Sequence, residues 1–208
     1  MSFFKNIKTE NIELKLPFLK DNGFKIFMKR EDLIHPIVSG NKFRKLKYNI
    51  EKFKKNKNST LITFGGAYSN HLLAVSYIAK IENINTIAFV RGDELGVLPL
   101  NSTLQSCFDN GMEFKFISRE KYRFRNDSDF LKNLSSKYNN AFIIPEGGTN
   151  DLGILGCEEI LTLRDKNFFD VICVPVGSGG TFSGLINSSL KKQKILGFSA
   201  LKNSNITN

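Results

Sequence analysis

The sequence predicts an α/β protein built on mostly parallel sheets, and three observations carry that expectation. From Thr60 onward, short apolar runs alternate with segments of helical period. The runs are rich in β-branched residues, and the turns between them are short and contain glycine. A strand that returns to the same sheet after a helix lies parallel to its predecessor, because the crossover brings the chain back to the starting edge.

The elements follow in order. Phe43, Leu46, Ile50 and Phe53 recur at helical spacing, which predicts an amphipathic helix over 43–57 with Lys45, Lys52 and Lys55 on its solvated faces. Strands are expected at 61–64, 86–90, 113–117, 141–144, 171–176 and 195–200. Between them come helices at 70–80, 100–110, 128–138, 153–164 and 181–192. The charged stretch 119–129 has no apolar period and reads as the nearest thing to a linker. Parallel sheets bind ligands beyond the carboxyl ends of their strands. The glycine turns at Gly65-Gly66, Gly147-Gly148 and Gly177 to Gly180 each follow an expected strand.

Composition narrows the function classes. A chain of 208 residues with 41% hydrophobic content and 19 phenylalanines can bury a core in one domain or two small ones. Its first 18 residues contain no continuous apolar run, so neither a signal peptide nor a membrane span is expected, and the cytoplasm is the default compartment. Cys107, Cys157 and Cys173 are odd in number and lie in apolar surroundings, which predicts buried reduced thiols rather than disulfides. With only His35 and His71 as imidazoles, no metal site is expected. The formal charge of +10 is concentrated at the start: residues 1–57 hold 15 Lys and Arg against 6 Asp and Glu, the remainder 15 against 14. No nucleic-acid-reading motif accompanies that excess, so nucleic-acid binding is not expected.

Three segments carry chemistry. Lys42 follows Ser39-Gly40-Asn41 at the start of the amphipathic helix, where the positive end of the helix dipole disfavours the ammonium form and helps a lysine form a Schiff base. A surface lysine in a basic stretch is the plainer alternative, since Arg44, Lys45 and Lys47 stand beside it. Gly177, Ser178, Gly179, Gly180 and Thr181 follow a strand and open a helix, where backbone N–H groups and a hydroxyl converge on an anion. Phe182 occupies the place of the last glycine in a dinucleotide fingerprint, and no P-loop Lys-Ser/Thr follows, which favours a monophosphate. In Gly65-Gly66-Ala67-Tyr68-Ser69-Asn70-His71, Ser69 or Asn70 can be a helix N-cap. In the functional alternative Asn70 donates to a cofactor oxygen while Ser69 and His71 meet the substrate. Glu146-Gly147-Gly148-Thr149-Asn150 is read as a cleft lining or a structural turn, and Arg30-Glu31-Asp32 as a bracing charge network. A lysine amine, a Ser/Asn pair and an anion cradle are the parts a pyridoxal-phosphate enzyme needs.

Lys29-Arg30-Glu31-Asp32-Leu33, Ser39-Gly40-Asn41-Lys42-Phe43-Arg44-Lys45 and the two glycine segments resemble the 1-aminocyclopropane-1-carboxylate deaminase and D-cysteine desulfhydrase family. That family lies within the tryptophan synthase β-like, fold type II pyridoxal-phosphate enzymes. The resemblance implies two three-layer α/β/α domains: a small one over 45–152, and a large one over 1–44 and 153–208 that lacks its C-terminal part, since family members are about half as long again. It implies that pyridoxal 5'-phosphate is bound covalently by Lys42, that Asn70 contacts its phenolic oxygen, and that Gly177 to Thr181 hold its phosphate. Ser69 would act as nucleophile or base, with Ser69, Asn70 and His71 contacting the substrate. His71 tilts the expected substrate toward D-cysteine and away from aminocyclopropane carboxylate. The implied activity is deamination of a small amino acid by a homodimer, with release of ammonia and a 2-oxo acid. The alternatives are an inactive cofactor-binding remnant and a basic binding module.

Overall fold

The computed structural model describes residues 3, 4, 7, 9–15, 17, 18, 22–138 and 141–200. Its strands are β1 (Asn11–Glu13), β2 (Phe27–Lys29), β3 (Thr60–Gly65), β4 (Asn85–Arg91), β5 (Met112–Ile117), β6 (Phe142–Ile143), β7 (Val171–Val176) and β8 (Lys194–Ser199). The helices are α1 (Asn41–Lys55), α2 (Asn70–Glu82), α3 (Ser102–Asp109), α4 (Arg119–Tyr122), α5 (Ser128–Lys137), α6 (Asp151–Glu158), α7 (Leu163–Phe168) and α8 (Gly180–Ser188).

A parallel sheet in the order β5-β4-β3-β6 forms the middle of the molecule. Side chains alternate across it, so its two faces bury different sets. Leu61, Ala88, Val90 and Met112 pack beneath α1, α2 and α3 with Leu46, Ile50, Leu72, Val75 and Leu104. Ile62, Phe64, Ile87, Phe89 and Ile117 pack on the other side with Tyr122 and Leu134. Both faces of β3 are therefore covered, which is why Leu61 to Phe64 are all buried, with Thr63 the one polar residue in the run.

A second parallel pair, β7 and β8, is joined by the crossover helix α8. Cys157, Ile160, Leu161 and Leu185 pack against Ile172, Val174 and Ile195 of this pair. The short antiparallel pair β1 and β2 is pinned by Asp165, which accepts from Lys29 Nζ at 2.8 Å and Asn11 Nδ2 at 2.6 Å. α6 lies so close to α1 that a Cβ on Gly156 would strike the Arg44 carbonyl oxygen, so only glycine allows this approach.

Several expectations are corrected. The stretch 119–129 contains α4 and a 3-10 turn, because Ser118 Oγ caps Lys121 N and Tyr122 is buried. The single helix expected at 153–164 is two, since Thr162 and Asp165 form a capping box that starts α7 afresh. The strand expected at 141–144 is reduced to Phe142–Ile143, and the last helix ends at Ser188. Cys107 and Cys157 are buried, but Cys173 faces outward from β7. Among the described residues the Arg30 side chain pairs with its neighbour Asp32 at the surface, while Glu31 reaches Arg44. The final segment, 202–208, lies outside the described residues.

Phe64 is fully buried, with its ring centroid 5.7 Å from that of Phe89. Phe64→Ala is expected to cost about 3–5 kcal/mol, read as a lowered urea midpoint. Val97→Ala, at a position 88% exposed, is expected to stay within about 0.5 kcal/mol of wild type. Equal midpoints for the two variants would contradict the packing of the second apolar layer.

Candidate active site

Lys42 occupies the first turn of α1, just after Gly40, whose φ of 58° places it in the region that favours glycine. Lys42 and Lys45 stand three residues apart and share one helix face. Together with Asn41 they line a cleft whose opposite wall is Pro175 to Gly179, Thr181 and Phe182. The structure thus brings Lys42 to the turn formed by Gly177, Ser178, Gly179, Gly180 and Thr181. The Asn41 side chain joins the two walls: its Oδ1 accepts from Lys42 Nζ at 3.0 Å, and its Nδ2 donates to Thr181 Oγ1 at 2.9 Å.

Lys45 was expected on a solvated face, and it is instead only 2% exposed. It donates to Thr149 Oγ1 at 3.0 Å, and Thr149 Oγ1 lies 2.6 Å from Ser178 Oγ. A Cβ on Gly180 would stand 3.0 Å from Lys45 Nζ, so the start of α8 abuts the ammonium directly. The spacing from Lys42 was a signal available in the sequence, and it outweighs the amphipathic reading here. Asn41 and Thr149 carried no comparable signal, because their contacts reach across 140 and 104 positions of the chain.

Burial is the largest influence on both lysines. It lowers the Lys42 pKa, and this correction replaces the helix dipole as the leading cause. It lowers Lys45 to about 8, helped by the neighbouring Lys42 charge. Neither lysine forms an ion pair with a carboxylate among the described residues. Nearby, burial raises the Cys157 thiol above its ordinary value.

Ser69 is the N-cap of α2, its Oγ accepting from Leu72 N at 3.3 Å, and Asn70 is exposed at the first position of that helix. Neither belongs to the lining of the cleft described above. The expectation of a substrate-facing His71 imidazole is corrected. The ring is buried and turned inward, with Nε2 2.8 Å from Thr63 Oγ1. Thr63 donates its hydroxyl proton to the Ile144 carbonyl oxygen, so His71 must be the donor to Thr63, and the neutral Nε2–H tautomer follows. Burial, with the Lys42 and Lys45 charges, pushes the His71 pKa down to about 3. The ring still abuts the site, since a Cβ on Gly148 would lie 3.5 Å from His71 Cε1 and 3.2 Å from Lys45 Cβ.

The donor set fits an aldehyde-bearing monophosphate. The buried Lys45 and the half-buried Lys42, with no carboxylate partner among the described residues, face the start of α8 across the cleft. A Cβ at Gly177 or Gly179 would meet no atom within 4 Å, so open space lies in front of the turn. Gly179 reaches its φ of 82° as the N-cap of α8.

A family model described as Pyridoxal-phosphate dependent enzyme matches residues 8–204. A putative 1-aminocyclopropane-1-carboxylate deaminase of Thermotoga maritima is 37% identical over 170 residues, covering 78% of this chain and 53% of the relative. The bifunctional mitochondrial D-cysteine desulfhydrase/1-aminocyclopropane-1-carboxylate deaminase of Arabidopsis thaliana is 32% identical, covering 79% and 45%. A D-cysteine desulfhydrase of Salmonella paratyphi A is 27% identical, covering 82% and 55%. The chain spans about half the length of these curated relatives. A solved structure of an ACC deaminase homologue superposes with a TM-score of 0.75 at 23% identity, over 97% of this chain and 63% of that one. Maize serine racemase superposes at 0.69 and 18%, over 91% and 55%. These likenesses establish the fold.

His71 generates a pH prediction. A histidine whose folded pKa lies at about 3, below the unfolded value of 6.5, contributes stability that is intact above pH 6.5 and is lost as pH falls toward 3. The slope reaches about 1.4 kcal/mol per pH unit for one proton. His71→Gln is expected to flatten the acid limb of the unfolding free energy from urea titrations against pH by up to that amount. Superimposable limbs for variant and wild type would show that the imidazole is not buried neutral.

Proposed function

Because this chain belongs to the pyridoxal-phosphate-dependent enzyme family, we propose that it deaminates a small amino acid of the D-cysteine or 1-aminocyclopropane-1-carboxylate type. One observation carries the reading: Lys42 and the turn from Gly177 to Thr181 line a single cleft and are joined through Asn41. The names of the curated relatives support the substrate class. The overall reactions balance with one water: D-cysteine gives pyruvate, ammonia and hydrogen sulfide, and aminocyclopropane carboxylate gives 2-oxobutanoate and ammonia.

Bound in the cleft, pyridoxal phosphate supplies an aldehyde for amine exchange and a ring that accepts electron density released at the substrate. Lys42 would present the amine to the aldehyde, its lowered pKa leaving more of the neutral form near neutral pH. Gly177, Ser178, Gly179, Gly180 and Thr181 would hold the phosphate, and Lys45 would supply a second positive charge to it. Asn70 would donate to the phenolic oxygen, and Ser69 would act on the substrate from the start of α2. Residues 45–152 form the small domain, and residues 1–44 with 153–208 the large one. The working form is a cytoplasmic homodimer.

Cofactor binding without turnover is the second reading. A panel of small D- and L-amino acids plus aminocyclopropane carboxylate, read by 2-oxo acid release, separates the two. Borohydride trapping with peptide mass mapping is expected to place the cofactor on Lys42, and Lys42→Ala to lose the adduct. Lys45→Met is expected to weaken cofactor retention about 10- to 100-fold through loss of a charged hydrogen-bond donor. An adduct on another lysine would overturn the assignment.

A further inference from the structure

Lys42 Nζ donates to Asn41 Oδ1 at 3.0 Å, while Asn41 Nδ2 donates to Thr181 Oγ1 at 2.9 Å. The orientation of the amide is determined, because a lysine ammonium can only donate and the carbonyl end must therefore face it. Thr181 Oγ1 accepts from Asn41 and also hydrogen-bonds with the Cys157 side chain, and it lines the cleft beside the anion turn.

We infer that Asn41 is the positioning residue of the site: its two-ended amide sets the Lys42 amine against the anion turn while adding no charge. The inference rests on the pyridoxal-phosphate reading and deepens it. A carboxylate in the same place would hold the lysine equally well, but an opposite charge within about 4–6 Å stabilises the ammonium and raises its pKa by about 1–3 units. It would also repel a phosphate at the adjoining turn. A neutral acceptor keeps the geometry without either penalty.

The groups whose charge Lys42 feels come from three elements. Lys45 lies on the same helix, His71 on α2, and Cys157 on α6. The sequence of α8 contains no ionisable residue, and Cys173 of β7 faces outward. His71 is neutral and Cys157 is held as a thiol by burial, so Lys45 is the charge nearby. Like charge from Lys45 favours the neutral amine. The amide at position 41 leaves that bias standing, whereas a carboxylate would cancel it.

The test uses the full 208-residue chain and pyridoxal phosphate itself. The readout is the rate of covalent capture at Lys42, trapped with borohydride across the neutral to alkaline range. Asn41→Asp is expected to move the pH midpoint of capture up by at least about one unit, an about tenfold slower capture below the midpoint. Aspartate in the first turn of a helix favours folding, and unfolding midpoints compared alongside verify it. Asn41→Ala reads the same idea independently: capture slows several-fold with an unchanged midpoint, because the tether is gone and no charge has been added. A wild-type midpoint in Asn41→Asp, or a wild-type rate in Asn41→Ala, overturns the inference while the cofactor reading stands. No capture by the wild-type chain overturns the cofactor reading and the inference together.

Discussion

Lys42 and Lys45 lie one helical turn apart with their side chains withdrawn from water, and no carboxylate reaches either among the described residues. Removing an ammonium from water costs several kcal/mol unless a partner repays it. Here the partners in the chain are neutral, an asparagine oxygen for one lysine and a threonine hydroxyl for the other. The depressed Lys45 pKa of about 8 expresses the same cost. An anion at the turn that opens α8 would relieve it, and the phosphate affinity proposed for this cleft would follow from charge left uncompensated by the fold.

That charge stays uncompensated because the nearby acids are already engaged. Glu31 is held by Arg44 in a two-bond contact of 2.8 and 2.9 Å. Glu159 accepts from Lys47 at 2.6 Å and also from the Tyr48 hydroxyl. Positions 44, 47 and 48 of α1 thus bind the carboxylates, while positions 42 and 45 turn toward the cleft. Asn49 and Asn150 exchange hydrogen bonds at 2.8 and 3.1 Å, and Gly156 lets α6 press against the Arg44 carbonyl. One face of α1 is clamped by partners, which lets the other keep its lysines without neutralising them.

How much of this was legible depends on the range over which each feature is decided. The run Leu61 to Phe64 declares a strand covered on both faces, since nothing polar interrupts it except Thr63, which is buried and bonded. Thr162 and Asp165 spell a helix start that the apolar pattern of 153–164 obscured, because Ile160 and Leu161 continue the run into the turn. The β1 and β2 pair is three residues to a strand and owes its anchoring to Asp165, more than a hundred positions away, so no local pattern announces it. The strand order β5-β4-β3-β6 is likewise set by long-range pairing. At the site, the lysine and the glycine turn were readable as residue types. The inward turn of His71 was not, because it depends on the Thr63 hydroxyl and the Ile144 carbonyl meeting in space.

The turn containing Gly147 and Gly148 supplies the remaining link. Both glycines have positive φ, 68° and 69°, and Gly148 is wedged between Lys45 and His71, where a Cβ would stand 3.2 Å from Lys45 Cβ and 3.5 Å from His71 Cε1. That wedge delivers Thr149 to the point where it touches Lys45 Nζ and Ser178 Oγ together. The anion turn is therefore tied to α1 twice, through Asn41 at Thr181 and through Lys45 and Thr149 at Ser178. A cradle formed by the start of α8 alone would take its shape from the local backbone. Tied at both ends to the helix that carries Lys42, the turn is held at a fixed separation from the amine, which is what the proposed ligand, with a phosphate at one end and an aldehyde at the other, would require.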